Sequence, residues 1–392
     1  MKIILGVSAS VAIYKAAEIC RFLEKEGADV TVVMTPNATR LVDPRLFDAV
    51  TSRHTITDLF DRDQTFAHLA VAREARAFAV APATANVLGK LAAGLADDAL
   101  TTVALTVSCP RLVAPAMNPA MWDKVEVQKN VAALRGAGYT VIPPEAGLVA
   151  CGDTGVGRLA APAVIVEEIL CAAAEKGPLA GKRVVVTAGP TREPFDAVRV
   201  LTNPSSGLMG HEIARRAARR GARVTLITGA RPAPAYGAGV AVVPVDTAAG
   251  MLVATGEAFR DADALIMAAA VSDYAPARVS AGKLKKNEAE LKVNLVPTTD
   301  IIAELAKNKG RKVVVGFAAE VDNMIEHGKA KLLNKQCDIV VANIIGRKDV
   351  GFGAEYAEAA IITAGGAREL GRIAKTALAD AVLDELGERL AG

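Results

Sequence analysis

Aromatic rings are scarce in this chain: they make up 4% of its 392 residues, with a single tryptophan. No basic patch is interleaved with aromatics on which nucleobases could stack. The charge balance agrees, since 46 Lys and Arg against 43 Asp and Glu leave a formal +3. Nucleic acid is therefore excluded as the expected partner. Cysteine is sparse too. Cys20, Cys109, Cys151, Cys171 and Cys337 are widely spaced and never form a CxxC pair. An odd, dispersed set argues against a disulfide framework and a zinc site, and fits a reducing compartment. Long hydrophobic runs are missing as well, so no membrane span is expected. The first residues, MKIILGVSAS, run from a strand straight into a glycine turn, without the apolar region of a signal peptide. A cytoplasmic protein is expected.

Apolar residues, mostly Ala, Val, Leu and Ile, make up 52% of the chain. That mixture suits helices laid against buried parallel strands, and the length favours two domains. KIILGVS reads as a buried strand, followed by Ala12, Ala16, Ile19 and Leu23 at helical spacing, a stop at Gly27, and a second strand in ADVTVVMT. Far downstream the order returns, with KRVVVTAGP, then GHEIARRAARRG ended by Gly221, then ARVTLITG. Two β-α-β openings predict an α/β fold class, with two three-layer α/β/α domains on mainly parallel, Rossmann-like sheets. CAAAEKGPLAGKR mixes glycine, proline and charge, which sets the boundary near Gly177–Ala180 and the domains at residues 1–178 and 179–392.

In such sheets ligands lie beyond the carboxyl ends of the strands. The first of these turns, GVSASVAIYK, offers one glycine, Gly6, and two hydroxyls, Ser8 and Ser10. It lacks the GxGxxG fingerprint of a dinucleotide site. The second strand ends in Met34-Thr35, where NAD would call for an acidic residue, and the second half repeats that absence at Thr228-Gly229. NAD is disfavoured. A single phosphate at the helix N-terminus is allowed, and Ser8 and Ser10 serve equally well as plain caps. Further strand ends carry Pro82, Thr84 and Asn86 in APATAN, and Asn118 between two methionines and ahead of Trp122 in LVAPAMNPAMW. The residues alone reach a mononucleotide-binding domain, with a flat ligand such as a flavin permitted.

One feature stays unexplained at this level. Cys151 stands alone in GLVACGDTGVGRLAAP with Gly152, Gly155 and Gly157 behind it, poor surroundings for a core thiol. Here a resemblance helps. PAMNPAMW resembles the substrate-recognition motif of flavin-dependent cysteine decarboxylases, APATAN their flavin-contacting strand end, and ACGDTGVGRL their substrate clamp. In the second half TAGPTREPFDAVRVLTNPSSGLMG, AAAVSDY, KLKK and VGFAAE resemble phosphopantothenate–cysteine ligase. Nearly the whole chain is similar, in order, to the bifunctional decarboxylase–ligase family of coenzyme A biosynthesis.

The resemblance implies a flavodoxin-like first domain that binds FMN through Gly6, Ser8, Ser10, Thr35, Pro82, Thr84 and Asn86. It implies His68 as the active-site base, Asn118 with Met117 and Pro115 on the carboxylate of a cysteinyl substrate, and Cys151 as proton donor. Its glycine-rich loop is expected to fold over the substrate and open again. The second domain would take CTP through Gly189, Asp273, Lys283, Lys285, Phe317 and Ala319, with Mg²⁺ at Asp273. Asn203, Lys285 and Arg199 would serve the ligation of 4'-phosphopantothenate with cysteine, and Ser205, Ser206 and Gly207 a phosphate. Arg192 either joins the triphosphate site or pairs with Glu193. Family assembly implies a homo-oligomer, a dodecamer built from trimers and dimers. Two departures stand out: Leu208 where relatives commonly have lysine, and Ser8-Ala9-Ser10 where many carry paired glycines. Regulatory homologues that bind flavin without turnover are the competing class; retention of His68 and Cys151 argues against them.

Overall fold

The computed structural model describes residues 1–59, 67–175, 177–234, 236–284, 291–345 and 354–391, without the side chains of residues 67 and 68. The chain divides into two compact units, Met1–Glu175 with Ala235–Gly237, and Lys176–Pro234 with Ala238–Gly392.

The first unit is built on β1 (Lys2–Val7), β2 (Asp29–Met34), β3 (Ala77–Ala83), β4 (Arg111–Pro115) and β5 (Tyr139–Val141). All pair in parallel, in the order β2-β1-β3-β4-β5. The strands read as continuous apolar runs because both faces are covered. In β1, Ile3, Leu5 and Val7 face one core and Ile4 the other, as a two-residue side-chain period requires. Helices Tyr14–Lys25 and Pro162–Ala173 close the first face. Helices Ala85–Ala93, Ala99–Thr106 and Val125–Gly136 close the second. Helix Tyr14–Lys25 buries Ala16, Ile19, Cys20 and Leu23, one face of a 3.6-residue period. Ala12, expected in that helix, lies in a short 3₁₀ turn, Val11–Ile13, that precedes it. Leu5 is fully buried, and truncating it to Ala would cost about 2–5 kcal/mol. A separate antiparallel hairpin, β6 (Glu145–Leu148) and β7 (Thr154–Arg158), follows the sheet.

The second unit contains β8 (Arg183–Ala188), β9 (Arg192–Pro194), β10 (Val200–Thr202), β11 (Arg223–Thr228), β12 (Val240–Pro244) and β13 (Ala264–Met267). It continues with β14 (Tyr274–Pro276), β15 (Leu295–Pro297), β16 (Val313–Glu320), β17 (Ile339–Ile344), β18 (Tyr356–Thr363) and β19 (Gly366–Ala374). Its main sheet runs β12-β11-β8-β13-β16-β17-β18-β19, parallel as far as β17 and antiparallel beyond. Counted in chain order, the parallel strands take the Rossmann sequence 3-2-1-4-5-6. Both units are α/β with mainly parallel sheets, as the strand–helix alternation predicts. The two ribbons β9–β10 and β14–β15 were not predicted, because three-residue strands carry no readable alternation. Among the described residues no helix is long and apolar enough to cross a membrane.

Candidate functional site

In the first sheet the order reverses between β1 and β3, so the crevice opens at their carboxyl ends. The local chemistry differs from the expectation at two residues. Ser8 is fully buried; its hydroxyl donates to the Pro82 carbonyl at 2.8 Å and accepts from the Thr84 N–H at 3.0 Å. It ties the two strand ends together under the crevice instead of facing it. Gly6 is also a packing residue: a Cβ there would meet Leu100 Cδ1 at 3.0 Å and Val80 Cγ2 at 3.2 Å. Ser10 does cap, accepting from Ala12 N–H at 3.2 Å, and it lines the crevice as well.

The crevice is a cleft of about 900 Å³, within the range of cofactor sites. The structure brings Ser10, Thr35, Thr84, Asn86, Met117, Asn118 and Cys151 to its wall, whereas Gly6, Ser8, Pro82 and Pro115 do not line it. Thr84 caps helix Ala85–Ala93, whose free N–H groups therefore begin at the cleft and suit an anion. Thr35 is nearly buried and accepts from Ala38 N–H at 3.2 Å. Sequence reasoning missed Asn37 and Lys90, both on the wall. Lys90 pairs with Asp97 at 2.8 Å and Asp98 at 3.4 Å, and the Asp97 hydrogen bond raises its pKa above the usual lysine value. A hint of that group was available, since two adjacent aspartates follow the helix in GKLAAGLADD. The side chain of His68, in the first turn of helix Ala67–Glu74, lies outside the described residues.

The hairpin forms the cleft's remaining wall, and Gly155 and Gly157 are there for fit. Gly157 carbonyl accepts Met117 N–H at 2.9 Å. A Cβ at Gly157 would stand 2.4 Å from the Met117 carbonyl oxygen, and one at Gly155 2.7 Å from Pro119 Cβ. Asn118 caps the short helix Pro119–Trp122, its Oδ1 accepting Ala120 N–H at 2.8 Å. Its Nδ2 donates to Cys151 Sγ at 3.2 Å and to Asp153 Oδ2 at 2.5 Å. Cys151, an exposed free thiol, is 3.4 Å from the same carboxylate oxygen.

In the second unit a recess of about 130 Å³ opens at the carboxyl ends of β13, β16 and β17. Ser205, Ser206, Gly207, Phe317 and Ala319 line it, together with Asn343 and Lys375, which sequence reasoning missed. Gly189, Asp273 and Lys283 are not among its lining residues, and Lys285 lies outside the described residues. Gly189 has φ +75° and no room for a Cβ, which would fall 2.5 Å from Ala230 N. Asn203 donates to the carbonyls of Ala270 and Val271, both at 3.2 Å, and so fastens the loop after β13. Arg192 and Glu193 do not pair with each other. The guanidinium donates to Gly229 carbonyl at 2.6 Å, while Glu193 accepts Ala248 N–H at 2.8 Å.

Arg199 is committed to Asp196, which is 2% exposed, and to the Leu284 carbonyl at 2.9 Å. The Arg199 hydrogen bonds hold the Asp196 carboxyl well below the usual carboxylate range. Lys331 donates to the Phe317 carbonyl, and desolvation lowers its pKa; it too was missed. Among the described residues no group of three or more His, Cys, Asp or Glu could hold a metal ion.

Comparison with known proteins bears on both units. Residues 1–173 match the family model described as Flavoprotein. Residues 179–390 match the DNA/pantothenate metabolism flavoprotein C-terminal domain. The coenzyme A biosynthesis bifunctional protein CoaBC of Bacillus subtilis (strain 168) is 41% identical over 357 residues, 90% of this chain and 88% of that protein. This chain belongs to the CoaBC family. A solved C-terminal domain of a CoaBC protein covers 55% of this chain and 98% of its own, with 32% identity and a TM-score of 0.47. A PPC decarboxylase variant complexed with pantothenoylaminoethenethiol covers 43% of this chain and 95% of its own, with 30% identity and a TM-score of 0.39. As a CoaBC member the chain is a bifunctional enzyme of coenzyme A biosynthesis, a decarboxylase and a ligase in one polypeptide.

Proposed function

We propose that the second unit joins 4'-phosphopantothenate to cysteine with CTP, through an acyl-cytidylate, and that the first unit decarboxylates the product to 4'-phosphopantetheine with FMN bound in its cleft. The observation that carries the reading is the contact of Asn118 Nδ2 with Cys151 Sγ, 3.2 Å, on the wall of a cleft of about 900 Å³.

The cleft fits a flavin mononucleotide in size, and the capped N-terminus of helix Ala85–Ala93 fits its phosphate. Ser10, Thr35, Thr84 and Asn86 are the residues that would hold it. Bound there, the flavin supplies a two-electron oxidation of the substrate thiol and its later reversal. An α-amido carboxylate leaves as carbon dioxide only if the electron pair left behind has a sink, and the oxidised thiol carbon is that sink. The protein's part is to place the groups. Asn118 donates to the carboxylate without adding charge. Cys151, beside the same amide, hands its S–H proton to the neighbouring carbon once carbon dioxide has gone. His68 moves the other proton. The hairpin lies over the reacting atoms and excludes water.

Ligation needs activation because a carboxylate oxygen is a poor leaving group, whereas CMP is a good one. Lys283 and Lys285 neutralise the phosphoryl oxygens. Ser205, Ser206 and Gly207 line the recess ahead of helix Leu208–Arg219, whose N-terminus suits a phosphate. Asn203 serves the acyl-cytidylate, and Phe317 and Ala319 border the base. Asp273 is exposed and supplies Mg²⁺ with one carboxylate, the triphosphate and water providing the rest. Val200 and Leu201 on β10 and Leu295 and Val296 on β15 are exposed, which supports an interface between copies. A cytoplasmic dodecamer is the assembly this reading carries.

The test is to incubate the purified chain with 4'-phosphopantothenate, cysteine, CTP and Mg²⁺ and follow products by mass spectrometry. CMP together with 4'-phosphopantetheine is expected. Accumulation of 4'-phosphopantothenoylcysteine alone would leave the ligase standing and remove the roles given to His68 and Cys151.

A further inference from the structure

The Asn118 amide is engaged at both ends. Its Oδ1 accepts Ala120 N–H at 2.8 Å, and its Nδ2 donates to Cys151 Sγ at 3.2 Å and Asp153 Oδ2 at 2.5 Å. A substrate carboxylate that is to bind this amide must take the place of one of those partners. One of them is itself a carboxylate. Asp153 is presented by a closed turn, with Val149 N–H donating to Asp153 carbonyl at 2.9 Å and Gly152 N–H to Val149 carbonyl at 3.0 Å. Its side chain is exposed, so it can swing into water without losing burial. Two carboxylates cannot share one amide at contact distance without strong repulsion.

We propose that Asp153 is an internal stand-in for the substrate carboxylate at Asn118, a competitor that raises KM for the carboxylate-bearing substrate. The proposal rests on the reading of the cleft given above. In the free enzyme Asp153 keeps the Asn118 amide satisfied and the hairpin tip docked. A substrate displaces it only by bringing a carboxylate of its own. When that carboxylate departs as carbon dioxide, Asp153 returns, so the decarboxylated product finds the amide already occupied. Asp153 thus weakens binding of the carboxylate-bearing ligand, which must displace it, and leaves binding of the same ligand without the carboxylate unchanged.

The experiment uses the full chain loaded with FMN and compares wild type, Asp153→Ala and Asp153→Asn. Two constants are measured: KM for 4'-phosphopantothenoylcysteine, and Ki for 4'-phosphopantetheine as product inhibitor. Removing the competitor in Asp153→Ala is expected to lower KM by about three- to ten-fold, the worth of one net hydrogen bond, while Ki stays within about two-fold. Asp153→Asn keeps an acceptor for Asn118 without the charge and is expected to lower KM by less; an unchanged flavin spectrum in both variants shows that the cleft has survived. A KM that rises or does not move, or a KM and Ki that change together, overturns the stand-in role and leaves Asp153 as a strut of the hairpin. A wild-type chain that binds FMN yet converts no 4'-phosphopantothenoylcysteine overturns the cleft reading itself, and this proposal with it.

Discussion

Gly157 is pressed against Met117. Its carbonyl accepts the Met117 N–H at 2.9 Å, and the place where a side chain would begin is 2.4 Å from the Met117 carbonyl oxygen. Real Cβ atoms do not tolerate that approach to backbone, so any residue but glycine must push β7 away from the loop that carries Asn118.

Gly157→Ala is therefore expected to shift the hairpin and separate Cys151 from Asn118. Overpacking of this kind costs about 1–3 kcal/mol locally. Decarboxylation should fall by at least about ten-fold, because each 1.4 kcal/mol of lost positioning is ten-fold in rate. CMP release by the ligase half should be unchanged, and assaying both on one preparation separates local damage from misfolding.

Ser8 and Ser10 look alike in the sequence and should behave differently on substitution. Ser8→Ala leaves the Thr84 N–H and the Pro82 carbonyl without their buried partner, which costs about 1–3 kcal/mol. Ser10→Ala removes one cap contact at a partly exposed position and should cost nearer 0.5–1 kcal/mol, on the order of a single cap. Urea unfolding of the two variants beside wild type measures the gap. Equal losses would mean that Ser8 does not bridge the strand ends.

His211 gives the second unit a pH dependence whose sign is determined. Burial, with a smaller contribution from Arg215, lowers its pKa from 6.5 to about 4. Between pH 6.5 and 4 the unfolded chain binds a proton that the folded chain refuses, so stability falls as the pH is lowered through that window. His211→Phe should flatten this limb. Urea midpoints at pH 7 and pH 5 report it, and an undiminished acid loss in the variant would assign the limb to other groups.

Arg199 and Asp196 hold Leu284, the residue immediately before Lys285. Lysine cannot reproduce the two-pronged contact of a guanidinium. Arg199→Lys is thus expected to raise KM for CTP several-fold, on the order of one charge-assisted hydrogen bond, with decarboxylation of added 4'-phosphopantothenoylcysteine unaltered. An equal loss in both reactions would point to general destabilisation.

Much of the architecture was legible in the residues. Apolar runs announced the strand–helix–strand opening of each half, since local periodicity decides what an element can bury. The absence of GxGxxG and of acidic strand ends argues against a dinucleotide from the residues alone. The motifs around Asn118 and Cys151 were visible as well. The two ribbons were not, and neither was the division of labour between Ser8, turned into the core, and Ser10, turned to the cleft.

What the sequence determined by itself is the alternation of the main strands and helices, their mainly parallel pairing class and the residue types available at strand ends, because these depend on neighbours a few positions apart. Tertiary structure alone decided which of those residues meet. Asn118 and Cys151 are 33 positions apart, and only the seating of the hairpin on the Met117 loop brings them to 3.2 Å. Gly155 and Gly157 are a close fit against Pro119 and Met117, since the space for a side chain is determined by what packs there, and that neighbour lies elsewhere in the chain.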